Sequence, residues 1–135
     1  MNNVTYDEYI QQLNQEALYR MLANMTEVPT IDEAQAASKS LLDGIIDNCG
    51  LSKAKIRKAN YALAKVKIHN TNYLACLYNI NGAQVMLRAT DLDTNKFYIP
   101  NEVWIAATDA KTDKTELQLV MSLSIEKDNN ELKTI

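Results

Sequence analysis

The sequence predicts an α+β fold, in which two or three N-terminal helices precede a four- or five-stranded antiparallel β-meander. Apolar residues recur at helical spacing as far as about residue 50, and the period becomes two from about residue 61. Asn81-Gly82 separates two strand-like runs, as in a β-hairpin. The 135 residues suit a single domain, with its helical part at about 1–60 and the meander at about 61–127.

The first helix is predicted to begin after Thr5 and to end near Met25. Thr5 followed by Glu8 is a capping box, in which the threonine hydroxyl accepts a hydrogen bond from a free N–H of the first turn. The apolar stripe comprises Tyr6, Ile10, Leu13, Ala17 and Met21. A loop is expected at Thr26–Pro29.

The second helix is predicted to begin after Thr30, which forms a capping box with Glu33. Gly50 is a natural residue to end it, because glycine readily adopts the left-handed conformation of a helix C-terminus. The apolar stripe comprises Ile31, Ala34, Ala37, Leu41 and Ile45.

The segment 52–68 fits both a helix and a strand. Ile56, Ala59 and Leu63 lie on one helical face, whereas Ala64, Val66 and Ile68 lie on one strand face. Alanine and lysine favour a helix at its start, and the turn residues that follow favour a strand at its end. A short helix at about 52–60 and a strand at about 61–68 are therefore expected.

The hairpin at Asn81-Gly82 joins the predicted strands Tyr73–Ile80 and Ala83–Thr90. Regular pairing across this turn predicts that alternate residues of the two strands lie on the same face of the hairpin. The members of this face are Leu74, Cys76, Tyr78 and Ile80 with Ala83, Val85, Leu87 and Ala89.

Two further strands complete the predicted meander. The first lies between Phe97 and Ala107 and is expected to be interrupted at Pro100-Asn101, because proline cannot donate to a ladder. The second is the alternating run Leu117–Ile125.

Charge is distributed unevenly along the chain. Residues 1–47 carry a net charge of −6, residues 48–90 contain no acid and carry +7, and residues 91–135 carry −4. The total of −3 therefore conceals a basic centre, whose local field attracts phosphates or acidic partners.

The segment 45–59 resembles the helix-turn-helix of many DNA-binding proteins. A helix ends at Gly50, and Ser52 can cap a second helix that carries basic residues on its exposed side. These cations are Lys53, Lys55, Arg57 and Lys58. The alternative is a helical corner whose basic face is solvated.

Lys65 and Lys67 share a predicted strand face with Tyr61. Alternating aromatic and basic residues are typical of surfaces that bind single-stranded nucleic acid. The alternative is an edge strand whose lysines prevent edge-to-edge pairing.

The sequence gives little support for catalysis, a cofactor or a metal site. His69 is the only histidine, and three glycines cannot form a glycine-rich phosphate loop. Asp91 to Glu102 spaces its oxygens as in a calcium loop, but Lys96 stands where the sharp turn needs glycine. A polar strand connection is the preferred interpretation of this segment, and no enzyme activity is expected.

Localisation and function are inferred from these patterns together. No apolar run reaches the roughly 20 residues of a membrane span, and two cysteines fit a reducing compartment, so a cytoplasmic protein without membrane partners is expected. We expect a non-enzymatic binding protein that contacts nucleic acid through its basic centre, as a helix-turn-helix-like small regulator or accessory factor. The alternative is a protein–protein interaction module, such as a phage-type inhibitor or a homo-oligomeric assembly component, whose basic centre meets an acidic protein surface.

Overall fold

A computed structural model describes residues 5–48, 58–80, 82–125 and 132–134. Two helices, one 3₁₀ turn and eight strands lie within these ranges. They are α1 (Tyr6–Leu22), β1 (Met25–Val28), α2 (Ile31–Asn48), the 3₁₀ turn (Lys58–Asn60), β2 (Tyr61–Ile68), β3 (Thr71–Ile80), β4 (Ala83–Asp91), β5 (Phe97–Pro100), β6 (Glu102–Thr108), β7 (Thr115–Ile125) and β8 (Leu132–Thr134).

The strands form two antiparallel sheets, which confirms the α+β class. The larger sheet has the order β1-β5-β4-β3-β2, and β7 pairs with β6 and β8 in the smaller one. The prediction of one continuous meander is wrong, because the chain leaves the larger sheet at Asn101, between β5 and β6. Within the larger sheet β2 to β5 follow one another as a meander, and β6 to β8 do so in the smaller sheet.

The predicted loop at Thr26–Pro29 is also corrected, since most of it belongs to β1. This strand pairs with β5, with Met25 opposite Pro100 and Val28 opposite Phe97. A four-residue strand has too few residues for a reliable period, and its partner lies about 70 residues away in sequence.

Both predicted helix starts are confirmed by their caps. The Thr5 hydroxyl accepts a hydrogen bond from the Glu8 N–H at 3.2 Å, and the Thr30 hydroxyl accepts one from the Glu33 N–H at 3.1 Å. α1 ends at Leu22, before the predicted Met25, because Met25 pairs in β1. α2 extends to Asn48, and its predicted end at Gly50 lies outside the described residues.

The predicted division of 52–68 is tested in part. β2 occupies the predicted strand, Tyr61–Ile68. Of the predicted helix, only Lys58–Asn60 is described, and these residues form a 3₁₀ turn.

The hairpin between β3 and β4 has the predicted turn but a different register. Ile80 pairs with Ala83, and Gly82 has a φ of +90°, which suits glycine best. Farther along, Leu77 pairs with Met86, but Cys76 pairs with Arg88. Leu87 is therefore an extra residue, and Ala89 pairs with Ala75, so the prediction that Ala89 shares a face with Cys76 and Leu74 is wrong beyond this β-bulge. Leu87 itself lies at the bulge, on the side of Cys76.

The bulge is fixed to α2 by a buried hydrogen bond. The Ser38 hydroxyl donates to the Leu87 carbonyl oxygen at 3.1 Å, and the two residues are 7% and 2% exposed. A bulge disrupts the ladder locally, and Ser38 satisfies a carbonyl at this point.

The helices lie on opposite faces of the larger sheet. α1 borders Ile68 on one face of β2, whereas α2 borders Tyr61 on the other, and successive strand residues point to opposite faces. The main core joins both helices to the central strands and to the smaller sheet; its fully buried members include Met21, Ile45, Met86 and Val103. β4 is thus packed on both faces.

Replacing Ser38 with alanine should destabilise the protein by about 1–3 kcal/mol, because a buried carbonyl loses its donor. Urea unfolding measures this loss. Ser40→Ala is the matched control, since it makes the same change in helix propensity at an exposed position of α2. Equal unfolding midpoints for the two variants would contradict the role of Ser38.

Candidate functional site

Four neighbouring side chains of β2 form an exposed row on one face of the sheet. The row consists of Tyr61, Leu63, Lys65 and Lys67, and the alternate residues Ala64, Val66 and Ile68 pack toward the core. Leu63 is 66% exposed and Tyr61 42% exposed. β2 is the last strand of the larger sheet, so its outer edge is unpaired within the part of the chain that is described.

The structure describes three of the six predicted nucleic-acid-binding residues, and all three are exposed in β2 or directly before it. Lys58 is exposed in the 3₁₀ turn directly before β2, and Lys65 and Lys67 belong to the exposed row. Lys53, Lys55 and Arg57 lie outside the described residues, as does most of the predicted helix-turn-helix.

No acid of the described residues forms an ion pair with any of these three lysines. Among the described residues, Lys58, Lys65 and Lys67 form no ion pair; the ion pairs Arg20–Glu16 and Lys96–Glu27 lie elsewhere. Their positive charge is therefore directed to solvent, where it can attract an anionic partner.

A groove of about 410 Å³ lies between α2 and the same face of β2, β3 and β4. Its lining combines apolar side chains with a few polar and charged ones. These residues are Gln35, Ser38, Lys39, Leu42 and Asp43 of α2 with Tyr61, Cys76, Leu87 and Arg88 of the sheet. Tyr61 belongs to both the groove and the exposed row, so the two features are continuous.

Sequence reasoning missed the two cations of this groove. Arg88 reaches it because the Leu87 bulge places Arg88 opposite Cys76, whereas regular pairing places Leu87 there. Arg88 is half-buried and has neither an ion pair nor a side-chain hydrogen bond to any described residue. The position of Arg88 in the segment without acids, residues 48–90, indicated that its charge could be functional. The face of β4 on which Arg88 lies could not be predicted, because it depends on the bulge.

Tyr61, which lines the groove, packs against the buried Tyr78. The rings of Tyr61 and Tyr78 meet edge to face with their centroids 4.8 Å apart, and the Asn60 amide donates to the Tyr78 hydroxyl at 3.5 Å. Burial raises the pKa of Tyr61, and the nearby Tyr78, Cys76 and Asp43 raise it further. The Tyr61 phenol is therefore neutral at physiological pH and can donate a hydrogen bond.

Cys76 has the properties of a packed thiol. Burial raises its pKa above the ordinary value, although the positive charge of Arg88 opposes this effect. The thiol is consequently protonated near neutral pH, whereas a cysteine nucleophile requires the thiolate.

The acidic segment after β4 forms a polar strand connection. One carboxylate oxygen of Asp91 accepts hydrogen bonds from the N–H groups of Asp93 and Thr94, at 2.8 and 3.2 Å. This is Asx-turn chemistry, as the preferred interpretation of this segment predicts. No group of three histidine, cysteine or acidic residues suited to a metal ion occurs in the described ranges.

Two other residues of note are the histidine His69 and the tryptophan Trp104. His69 lies in the turn between β2 and β3 with a φ of +48°. Trp104 is half-buried, and the Arg20 guanidinium lies 4.5 Å from its ring centroid as a cation–π contact. Neither residue lines the groove.

None of the helices within the described ranges is both long and apolar enough to cross a membrane. Comparison with family models, curated proteins and solved structures found no match to this chain. Function is therefore inferred from the chemistry of the exposed row and the groove.

Replacing Arg88 with methionine should raise the pKa of Cys76 further, because it removes the charge that stabilises the thiolate. The pH dependence of alkylation, followed by mass spectrometry in a Cys49→Ser background, reports this pKa. Lys65→Met is a control that removes a cation outside the groove. An unchanged pKa in Arg88→Met would contradict the bulged register, since regular pairing directs Arg88 to the opposite face.

Proposed function

We propose that this protein is a non-enzymatic nucleic-acid-binding protein, and that it acts as a small regulator or accessory factor. Binding uses a basic face, defined as Lys58, Lys65 and Lys67 together with Lys39 and Arg88 of the groove. The observation that supports this function is that none of these five cations has an ion pair among the described residues. Lys39 and Arg88 line the same groove as the exposed Tyr61, and Lys65 and Lys67 follow Tyr61 along β2.

Phosphate is the anion that best fits this face. Each lysine that neutralises a phosphate releases condensed counterions, and this release gives binding a steep salt dependence. An exposed aromatic ring beside the cations offers a base a stacking surface. Because the whole chain is acidic, the attraction is local to this face.

Replacing Lys65 and Lys67 together with glutamine should weaken binding of labelled single-stranded DNA. The slope of log affinity against log salt should fall by about 1.4, at about 0.7 for each phosphate that is no longer neutralised. Fluorescence anisotropy between low and physiological salt measures both quantities.

Lys111→Gln with Lys114→Gln is the matched control, because it removes two exposed lysines from the turn between β6 and β7. Equal slopes of log affinity against log salt for the two double variants would contradict the assignment of the basic face as the binding surface. Absence of DNA binding by the unchanged protein at low salt would contradict the proposed function itself.

A protein partner is the second candidate, and the exposure of Leu63 favours it. Leu63 is 66% exposed on a strand edge that is unpaired among the described residues, and it can be covered when another strand pairs with β2. That strand would come from an acidic partner or from a second copy of this chain.

If a second copy pairs with β2, Leu63→Lys should shift sedimentation toward the monomer, because it places another charge on the strand edge. Leu92→Lys is the control, since Leu92 is an exposed leucine in the turn after β4. Monomeric sedimentation of the unchanged protein at all concentrations would contradict self-association.

A further inference from the structure

We infer that the groove between α2 and the larger sheet receives an unstacked base of single-stranded nucleic acid. This inference rests on the proposed function and adds its substrate class. Lys65 and Lys67 would hold the backbone along β2, and Arg88 and Lys39 would hold a phosphate next to the inserted base.

The shape and the lining of the groove fit a flat, largely apolar ring. Its volume of about 410 Å³ lies within the range of small-molecule sites, about 300–1,000 Å³. Leu42 and Leu87 provide buried apolar walls, and the exposed part of the Tyr61 ring provides a surface for stacking.

The charge of the groove fits a phosphate attached to that ring. Arg88 lies on its floor and Lys39 lies on the α2 side, and neither has an ion pair among the residues described. An apolar ring with one adjoining anion matches this combination.

The continuity of the groove with the exposed row favours a polymer over a free nucleotide. Tyr61 belongs to both, and Lys65 and Lys67 follow on the same face, about 13 and 20 Å farther along the strand at 3.3 Å per residue. A chain whose phosphates follow these lysines reaches the groove at Tyr61.

Single strands are favoured over duplex, because duplex bases are stacked and paired. Insertion of a duplex base into the groove would require its extrusion, which costs a few kcal/mol. In a single strand the base is already available, and the sheet face does not need to enter a DNA groove.

The test compares an oligothymidylate with an abasic oligonucleotide of the same length, which has the same phosphates without bases. Three variants are measured with both ligands: Tyr61→Ala, Gln35→Trp, which fills the groove from an exposed position of α2, and Gln12→Trp, a control at an exposed position of α1. Tyr61→Ala and Gln35→Trp should each weaken oligothymidylate binding by about tenfold or more, the effect of one stacked base. Neither should change binding of the abasic ligand, and Gln12→Trp should change neither.

A second measurement follows the protection of Cys76 in a protein that has no substitution in the groove. In a Cys49→Ser background, oligothymidylate should slow alkylation of Cys76, because an inserted base covers this thiol. The abasic ligand should not slow it. This measurement remains informative if a substitution disturbs the fold, which circular dichroism monitors.

The outcomes distinguish base insertion into the groove from nucleic-acid binding as such. Equal affinity for both ligands, with loss of both in Lys65→Gln with Lys67→Gln, would leave nucleic-acid binding intact and overturn base insertion. Failure to bind either ligand at low salt would overturn both proposals. Duplex binding as tight as single-strand binding, with Cys76 unprotected, would also overturn the single-strand assignment.

Discussion

The β-bulge at Leu87 is the constraint on which the arrangement of the groove between α2 and the larger sheet depends. One extra residue in β4 reverses the facing of every later residue of that strand, and so brings Arg88 beside Cys76. The Ser38 hydroxyl holds the bulge in place by donating a hydrogen bond to the Leu87 carbonyl oxygen. The same contact fixes α2 over this part of β4, and the groove is the space left between them.

Local signals in the sequence predicted most of the secondary structure, because their physical causes are local. Thr5 and Thr30 accept hydrogen bonds within three residues, and Gly82 supplies a positive φ at the turn itself. β1 and the bulge depend instead on partners that are distant in sequence, β5 and Ser38. For this reason Lys65 and Lys67 could be assigned to one face from their spacing, whereas Arg88 and Lys39 could not be assigned to the groove.

The lysines of β2 can serve two purposes that do not conflict. Charge on an edge strand opposes uncontrolled pairing with other sheets, and the same charge attracts a polyanion. A nucleic acid does not need the free backbone groups of the edge, since it is held through phosphates and bases. In the proposed function, Lys65 and Lys67 would therefore protect the edge of the free protein and remain available for binding.

Arg88 differs from these lysines because it is half-buried. Partial burial removes some of the water around a guanidinium, and this loss of hydration costs free energy unless an anion replaces the water. Within the described residues no carboxylate pairs with Arg88, and its unbonded nitrogens retain contact with solvent. An incoming phosphate would thus meet a donor that is already positioned by the bulge and only partly hydrated. This preorganisation reduces the ordering cost of binding, which for a flexible surface lysine must be met when the complex forms.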